Sequence, residues 1–166
     1  MKRVTALIAA ALALSGCGLQ PLYGGGEGGT IRSTLSEIEV APIAGQNGWL
    51  VANALRDRLI QNKGTAARYR LEVKLDDRIT GLGVRRDDAI TRERRTLRAR
   101  YQLIDLSNGE VLLDQTAGSD AGIDVVGSEY ATIAAEQSAL ERLSGIVADQ
   151  IVSRLALYAR RAPTAP

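Results

Sequence analysis

From Arg68 to Asp76 apolar and charged residues alternate. Tyr69, Leu71, Val73 and Leu75 fall on one face, and Arg68, Arg70, Glu72, Lys74 and Asp76 on the other, the period of a half-buried strand. A second alternating run follows the Gly81/Gly83 region and Arg85-Arg86-Asp87-Asp88. In it Leu97, Ala99, Tyr101 and Leu103 point inward, while Arg92, Arg94, Thr96, Arg98, Arg100 and Gln102 point outward. Ser107-Asn108-Gly109 predicts a hairpin turn, with Glu110 to Asp114 as the returning strand. Upstream, Glu37 to Ala41 alternates over a shorter span and stops at Pro42.

Two other stretches carry helical spacing. Asn47 offers an N-cap for a helix from about Gly48 to Lys63, with Val51, Leu55 and Leu59 as its apolar stripe, Ala52 and Leu50 alongside, and Gly64 as the stop. Arg56, Asp57 and Arg58 point outward, and Trp49 is expected to anchor the helix start by packing, with contact to a partner or membrane interface as the other use. Ser128 caps a longer helix from about Glu129 to Arg160, striped by Ile133, Leu140, Val147, Ile151, Leu155 and Tyr158. The order is β-α-β-β-β-α. One apolar sheet face and one apolar stripe per helix predict an α+β two-layer sandwich, a four-stranded mixed/antiparallel sheet with both helices on one face. The last helix would exceed about 40 Å at 1.5 Å per residue, longer than a small sheet needs, so part of it is expected to project or meet a partner.

The chain start is an address. Met1-Lys2-Arg3 is a short cationic segment, and Val4 to Leu14 is an uncharged apolar run, well short of the roughly 20 residues a spanning helix needs. It ends in Leu14-Ser15-Gly16-Cys17, which looks like a bacterial lipobox whose cysteine is acylated before cleavage ahead of it. The organisation expected is a lipoprotein signal peptide at 1–16, a lipidated flexible tether at 17–35, a single α+β domain at 36–160 and a disordered tail at 161–166. Several acyl chains on Cys17, at about 0.8 kcal/mol per buried CH₂, would form a stable anchor. Gly18, where some inner-membrane lipoproteins carry Asp, favours the outer membrane. Gly24, Gly26 and Gly29 satisfy a G-x-G-x-x-G spacing, but no hydrophobic strand precedes them and no helix pattern follows, so they read as tether glycines.

Composition removes several chemistries. With no His and one Cys, no imidazole base, Ser–His–Asp or Cys–His pair, disulfide framework or Cys/His zinc site can be built. A Ser–Lys hydrolase is disfavoured because Lys63 and Lys74, the only lysines after the leader, stand in no Ser-x-x-Lys frame. Asp76-Asp77 and Asp87-Asp88 lack an EF-hand spacing and read as turn or strand-end aspartates. No metal and no cofactor is expected beyond the lipid on Cys17.

Removing Lys2 and Arg3 leaves 19 basic side chains against 19 acidic ones, so bulk charge gives no reason to expect nucleic acid as a partner. The distribution is uneven. Arg85, Arg86, Arg92, Arg94, Arg95, Arg98 and Arg100 face only Asp87, Asp88 and Glu93 within the segment from Arg85 to Arg100. By parity Arg92, Arg94, Arg98 and Arg100 share one strand face, next-but-one neighbours about 7 Å apart. Guanidinium forks suit phosphates and carboxylates. Together with Arg85 and Arg86 they are the candidates for contacting phosphate or carboxylate groups on a ligand or partner. The alternative is a solvated face on which Glu72, Lys74 and Asp76 of the neighbouring strand form cross-strand ion pairs with them.

The segment Cys17-Gly18-Leu19-Gln20-Pro21-Leu22-Tyr23, the strand-helix start, and Tyr130-Ala131-Thr132-Ile133-Ala134-Ala135-Glu136-Gln137 leading to Leu155-Ala156-Leu157-Tyr158 resemble the alphaproteobacterial form of the LPS-assembly lipoprotein family, LptE. The likeness covers nearly the whole mature chain in element order. It implies two helices against a four-stranded sheet. It also implies a non-enzymatic, lipid-anchored outer-membrane subunit facing the periplasm, which plugs and helps assemble the LptD β-barrel and binds lipopolysaccharide during its insertion into the outer leaflet. Another reading of the same residues is an auxiliary lipoprotein, a periplasmic binding module, of a lipid-transport ABC system.

Overall fold

The period-two segments form one sheet, and its strands run well past the stretches where alternation is visible. The computed structural model describes residues 30–59, 66–84 and 90–161. The elements are α1 (Thr30–Ser36), β1 (Ile38–Val40), α2 (Gly45–Arg58), β2 (Tyr69–Val84), β3 (Ile90–Asp105), β4 (Val111–Asp124) and α3 (Glu129–Arg161). The spatial order is β1-β2-β3-β4. β1 runs parallel to β2 through the α2 crossover, and β2, β3 and β4 form an antiparallel meander. The α+β sandwich with a mixed four-stranded sheet is therefore the fold, with one helix more than the pattern predicts.

That extra helix is a correction to the tether. Residues 30–35 were expected to be flexible; instead Ile31 and Leu35, one turn apart, place Leu35 in the core and Ile31 against it. Among the other helical expectations, Val51, Leu55 and Leu59 are fully buried. The start of α2 differs: Ala44 holds the N-cap place without a side-chain bond, Gly45 takes φ +84°, and Asn47 accepts a bond from the next residue's N–H at 2.9 Å inside the first turn. The helix stops at Arg58, with Leu59 folding back through its N–H to the Leu55 carbonyl. Trp49 is 62% exposed, so it does not anchor the helix by packing. Gly64 lies outside the described residues.

β2 and β3 span 16 residues each, about 50 Å at 3.3 Å per residue. The 33-residue α3 is about as long, so the sheet matches it and no overhang is required. The Gly81/Gly83 region is strand, and β4 continues ten residues past Asp114 to Asp124. Asp76 and Asp77 accordingly sit inside β2 rather than at a turn. The inward positions of β4 after Leu113 are Gln115, Ala117, Ser119, Ala121 and Ile123. Mostly small, they let α3 settle close over this edge strand through Ala139, Leu140, Leu143, Val147, Ala148, Ile151, Leu155 and Ala156. Ile133 is the exception to the predicted stripe, more than half exposed near the helix start.

Parity holds across the core. Tyr69, Leu71 and Val73 of β2, and Leu97, Ala99, Tyr101 and Leu103 of β3, are buried beneath α2 and α3. The β3–β4 hairpin closes at Ser107-Asn108-Gly109: Gly109, at φ +75°, donates to the Asp105 carbonyl at 2.8 Å, and the Ser107 N–H caps the Asp105 carboxylate at 2.8 Å. Those Ser107 bonds hold the Asp105 carboxyl below its ordinary pKa.

Candidate functional site

The face of the sheet away from the helices is built by register. Each row carries one residue from β2, β3 and β4: Lys74–Arg100–Thr116, Asp76–Arg98–Gly118, Arg78–Thr96–Asp120, Thr80–Arg94–Gly122 and Leu82–Arg92–Asp124. The sequence-predicted Arg92, Arg94, Arg98 and Arg100 share this face and are all exposed. Arg85, Arg86, Asp87, Asp88 and Cys17 lie outside the described residues.

The four arginines are not equivalent. Arg100 is tied to Asp114 by two bonds, Nε to Oδ1 at 3.0 Å and Nη2 to Oδ2 at 2.7 Å, and Gln102 donates to the same carboxylate at 2.9 Å. The bonds from Arg100 and Gln102 lower the Asp114 pKa to about 2. Because the folded value is depressed, the pair's contribution is present above the ordinary carboxylate range and is lost only as pH falls through about 2. Among the described residues Arg92 makes one side-chain bond, Nε to Asp124 Oδ1 at 3.0 Å, which does not use its terminal nitrogens. Arg94 and Arg98 make no ion pair with any described residue.

The cross-strand partners expected from β2 come from β4 instead. Asp76 accepts from Arg78 on its own strand at 2.8 Å, whereas Asp114 and Asp124 supply the acids to β3. Arg94 and Arg98 are both opposed on β4 by glycine, Gly122 and Gly118. A Cβ at Gly122 would meet nothing within 4 Å, so a smooth open lane lies beside Arg94. At Gly118 the lane is filled by Arg98 itself: a Cβ there would stand 2.5 Å from Arg98 Cδ and 3.0 Å from the Leu97 carbonyl oxygen. Asp120, one row between them, is within ion-pair distance of neither. The distal half of this face thus presents two guanidinium groups without an ion pair among the described residues, about 13 Å apart along β3, each opposed on β4 by glycine and separated by the Arg78–Thr96–Asp120 row. Gly118→Val should swing Arg98 off its seat at a cost of about 1 kcal/mol. In ligand titrations it should behave like Arg98→Gln.

One charged cluster was missed by the sequence reading because it sits on the apolar face. Arg95 and Asp77 are nearly buried and paired twice, Nε–Oδ1 at 2.9 Å and Nη2–Oδ2 at 2.6 Å, while Arg95 Nη1 donates to the Glu136 carbonyl of α3 at 3.0 Å. Their odd numbering, in phase with Leu97 and Leu75, was the available signal. Beside them Glu93 has a buried Oε2 without a hydrogen-bond partner among the described residues, and burial together with the adjacent Glu136 carboxyl raises its pKa above the ordinary carboxylate value. With a raised folded pKa, the protonated form is favoured in the fold. Stability is fully expressed below the ordinary carboxylate range and declines as pH rises through the folded value. Glu93→Gln should therefore raise the melting temperature at about pH 7 and leave it nearly unchanged at about pH 4, read by circular dichroism at both.

Among the described residues no group of three or more His, Cys, Asp or Glu side chains could hold a metal ion, and no helix is long and apolar enough to cross a membrane.

No curated protein matches the chain. Among solved structures, a candidate lipoprotein from Caulobacter crescentus is 25% identical, with 80% of this chain and 99% of that one covered at a TM-score of 0.69. A minor lipoprotein from Acinetobacter baumannii is 16% identical, covering 79% and 97% with a TM-score of 0.56. The rare lipoprotein B from Shewanella oneidensis is 12% identical, covering 72% and 93% with a TM-score of 0.55. The last two share the fold. The family model LptE, described as lipopolysaccharide-assembly, matches residues 35–155, which takes in every element from β1 onward up to the last turns of α3. The chain therefore belongs to the LptE lipopolysaccharide-assembly family.

Proposed function

We propose that this protein is a non-enzymatic subunit of the lipopolysaccharide translocon. In this reading it is held at the periplasmic side of the outer membrane by lipid on Cys17. It serves as plug and assembly partner of an LptD-type β-barrel, and it binds lipopolysaccharide during insertion into the outer leaflet. Family membership supports the assembly role. The observation that carries substrate binding is the pair Arg94 and Arg98, exposed over the Gly118/Gly122 lane and unmatched by acids among the described residues. A phosphorylated glycolipid offers separated anionic groups that such forks bind with paired donors. Arg92, whose terminal nitrogens bond no described residue, extends the surface, and Arg85 and Arg86 belong to the same candidate set by sequence. Arg100 is neutralised by Asp114 and contributes least.

The decisive physiological test is depletion of the protein in its native cell, followed by measurement of newly made lipopolysaccharide at the cell surface. Loss of surface lipopolysaccharide with accumulation in inner compartments is expected. Normal surface delivery, with a defect confined to another lipid class, would replace this reading by the auxiliary lipoprotein of a lipid-transport ABC system.

A further inference from the structure

A second polar feature lies on the opposite layer, away from the arginine face. Between the β4 edge and α3 runs an open groove of about 340 Å³ lined by Tyr101, Thr116, Ala117, Asp149, Gln150, Ser153 and Arg154. Its upper end is fixed by Gln150, which accepts the Gly118 N–H at 3.0 Å and donates to the Gly118 carbonyl at 3.3 Å, clamping helix to edge strand. Tyr101 is 1% exposed, and its buried hydroxyl has no hydrogen-bond partner among the described residues. A buried donor left in that state is uncommon in a native fold. Arg154 is near enough for its charge to act on that hydroxyl, and it is exposed without an ion pair to any described residue. Asp149, the one acid of the lining, is already held by Arg58.

We propose that this groove binds a carboxylate. The donors on offer are the guanidinium of Arg154 and the hydroxyls of Tyr101 and Ser153, so one positive charge stands beside neutral donors. With Asp149 cancelled by Arg58, the lining carries a single net positive charge. That matches a singly charged, planar group, which a guanidinium fork receives with two parallel bonds. A phosphate dianion would need a second cation, and Arg154 is the only cation among the lining residues. The inference is independent of the lipopolysaccharide reading, since its donors Arg154, Tyr101 and Ser153 lie on α3 and the helix-facing side of β3, and only Thr116 at the rim belongs to the arginine face.

The test uses the full chain in micelles of a non-ionic detergent, carrying ¹³C-labelled tyrosine and arginine. It is titrated at constant ionic strength with sodium acetate and, separately, with inorganic phosphate. Acetate is expected to move the Tyr101 and Arg154 resonances saturably and to leave Tyr130 unmoved. Arg154→Gln should weaken acetate binding about tenfold, equivalent to about 1.4 kcal/mol. Tyr101→Phe and the surface variant Ser153→Ala should each weaken it several-fold. Ser153→Ala keeps the test valid if Tyr101→Phe disturbs the core. The proposal is overturned if acetate leaves both resonances unmoved, if all three variants bind it like the parent, or if phosphate binds the groove more tightly than acetate.

Discussion

Replacing Arg94 and Arg98 together by Gln is expected to weaken lipopolysaccharide binding by about tenfold to a hundredfold. Each charge-assisted bond to an anionic oxygen contributes about 1.5–3 kcal/mol, reduced here by solvent exposure, and about 1.4 kcal/mol corresponds to a factor of ten. Arg100→Gln should change binding less than about twofold, because Asp114 already occupies the donors of Arg100. Replacing Arg92, Arg94, Arg98 and Arg100 together should abolish measurable binding and make the outer membrane permeable to large apolar solutes. The fold should survive, since all four side chains are exposed. Binding measured by surface plasmon resonance on immobilised lipopolysaccharide, with circular dichroism as the folding control, separates the cases. Equal losses for Arg94, Arg98 and Arg100 would show that general charge, rather than the glycine lane, determines binding.

Breaking the inner-face ion pair should have the largest effect on stability. Arg95→Ala leaves the nearly buried Asp77 carboxylate without its two donors and frees the Glu136 carbonyl of α3. Removing one partner of a buried pair costs about 3–5 kcal/mol, and the residual exposure of this pair places the expectation near the lower end, about 3 kcal/mol. Asp77→Ala should cost a similar amount. The double change Arg95→Met with Asp77→Leu should recover most of the loss, because neither charge is then stranded. Urea unfolding gives the stabilities. Hydrogen exchange should show that the single variants loosen residues 129–138 of α3 first, because Arg95 ties this stretch to β3. A double variant as unstable as the singles would mean that the pair supplies more than mutual neutralisation.

The sequence signals that worked were periodic. Alternation at Tyr69 to Leu75 and Leu97 to Leu103 placed the core face and, by the same parity, put the four arginines together on the other side. Alternation failed where the chain stopped looking like a strand. Asp77 breaks the apolar face of β2 because its partner Arg95 is eighteen residues away on β3, and no local pattern reports such a pairing. Beyond Asp114, β4 uses Ala117, Ser119 and Ala121 to admit α3 closely, so its inward positions lack the apolar bulk by which a strand is recognised. That omission hid Asp124, the partner of Arg92, and the glycines opposite Arg94 and Arg98. Likewise α1 has only Ile31 and Leu35 to declare it, too few for a periodic reading, and it is held by the core rather than by its own propensity. The alternation thus located the cationic surface correctly. The division of that surface into neutralised and free arginines is a property of register.

The central claim is most directly tested by affinity purification of the full lipidated chain from detergent-solubilised envelopes of its native cell. The account predicts recovery of a heat-modifiable outer-membrane β-barrel in one-to-one ratio. Recovery of the chain alone, or with an inner-membrane permease in place of the barrel, would contradict it.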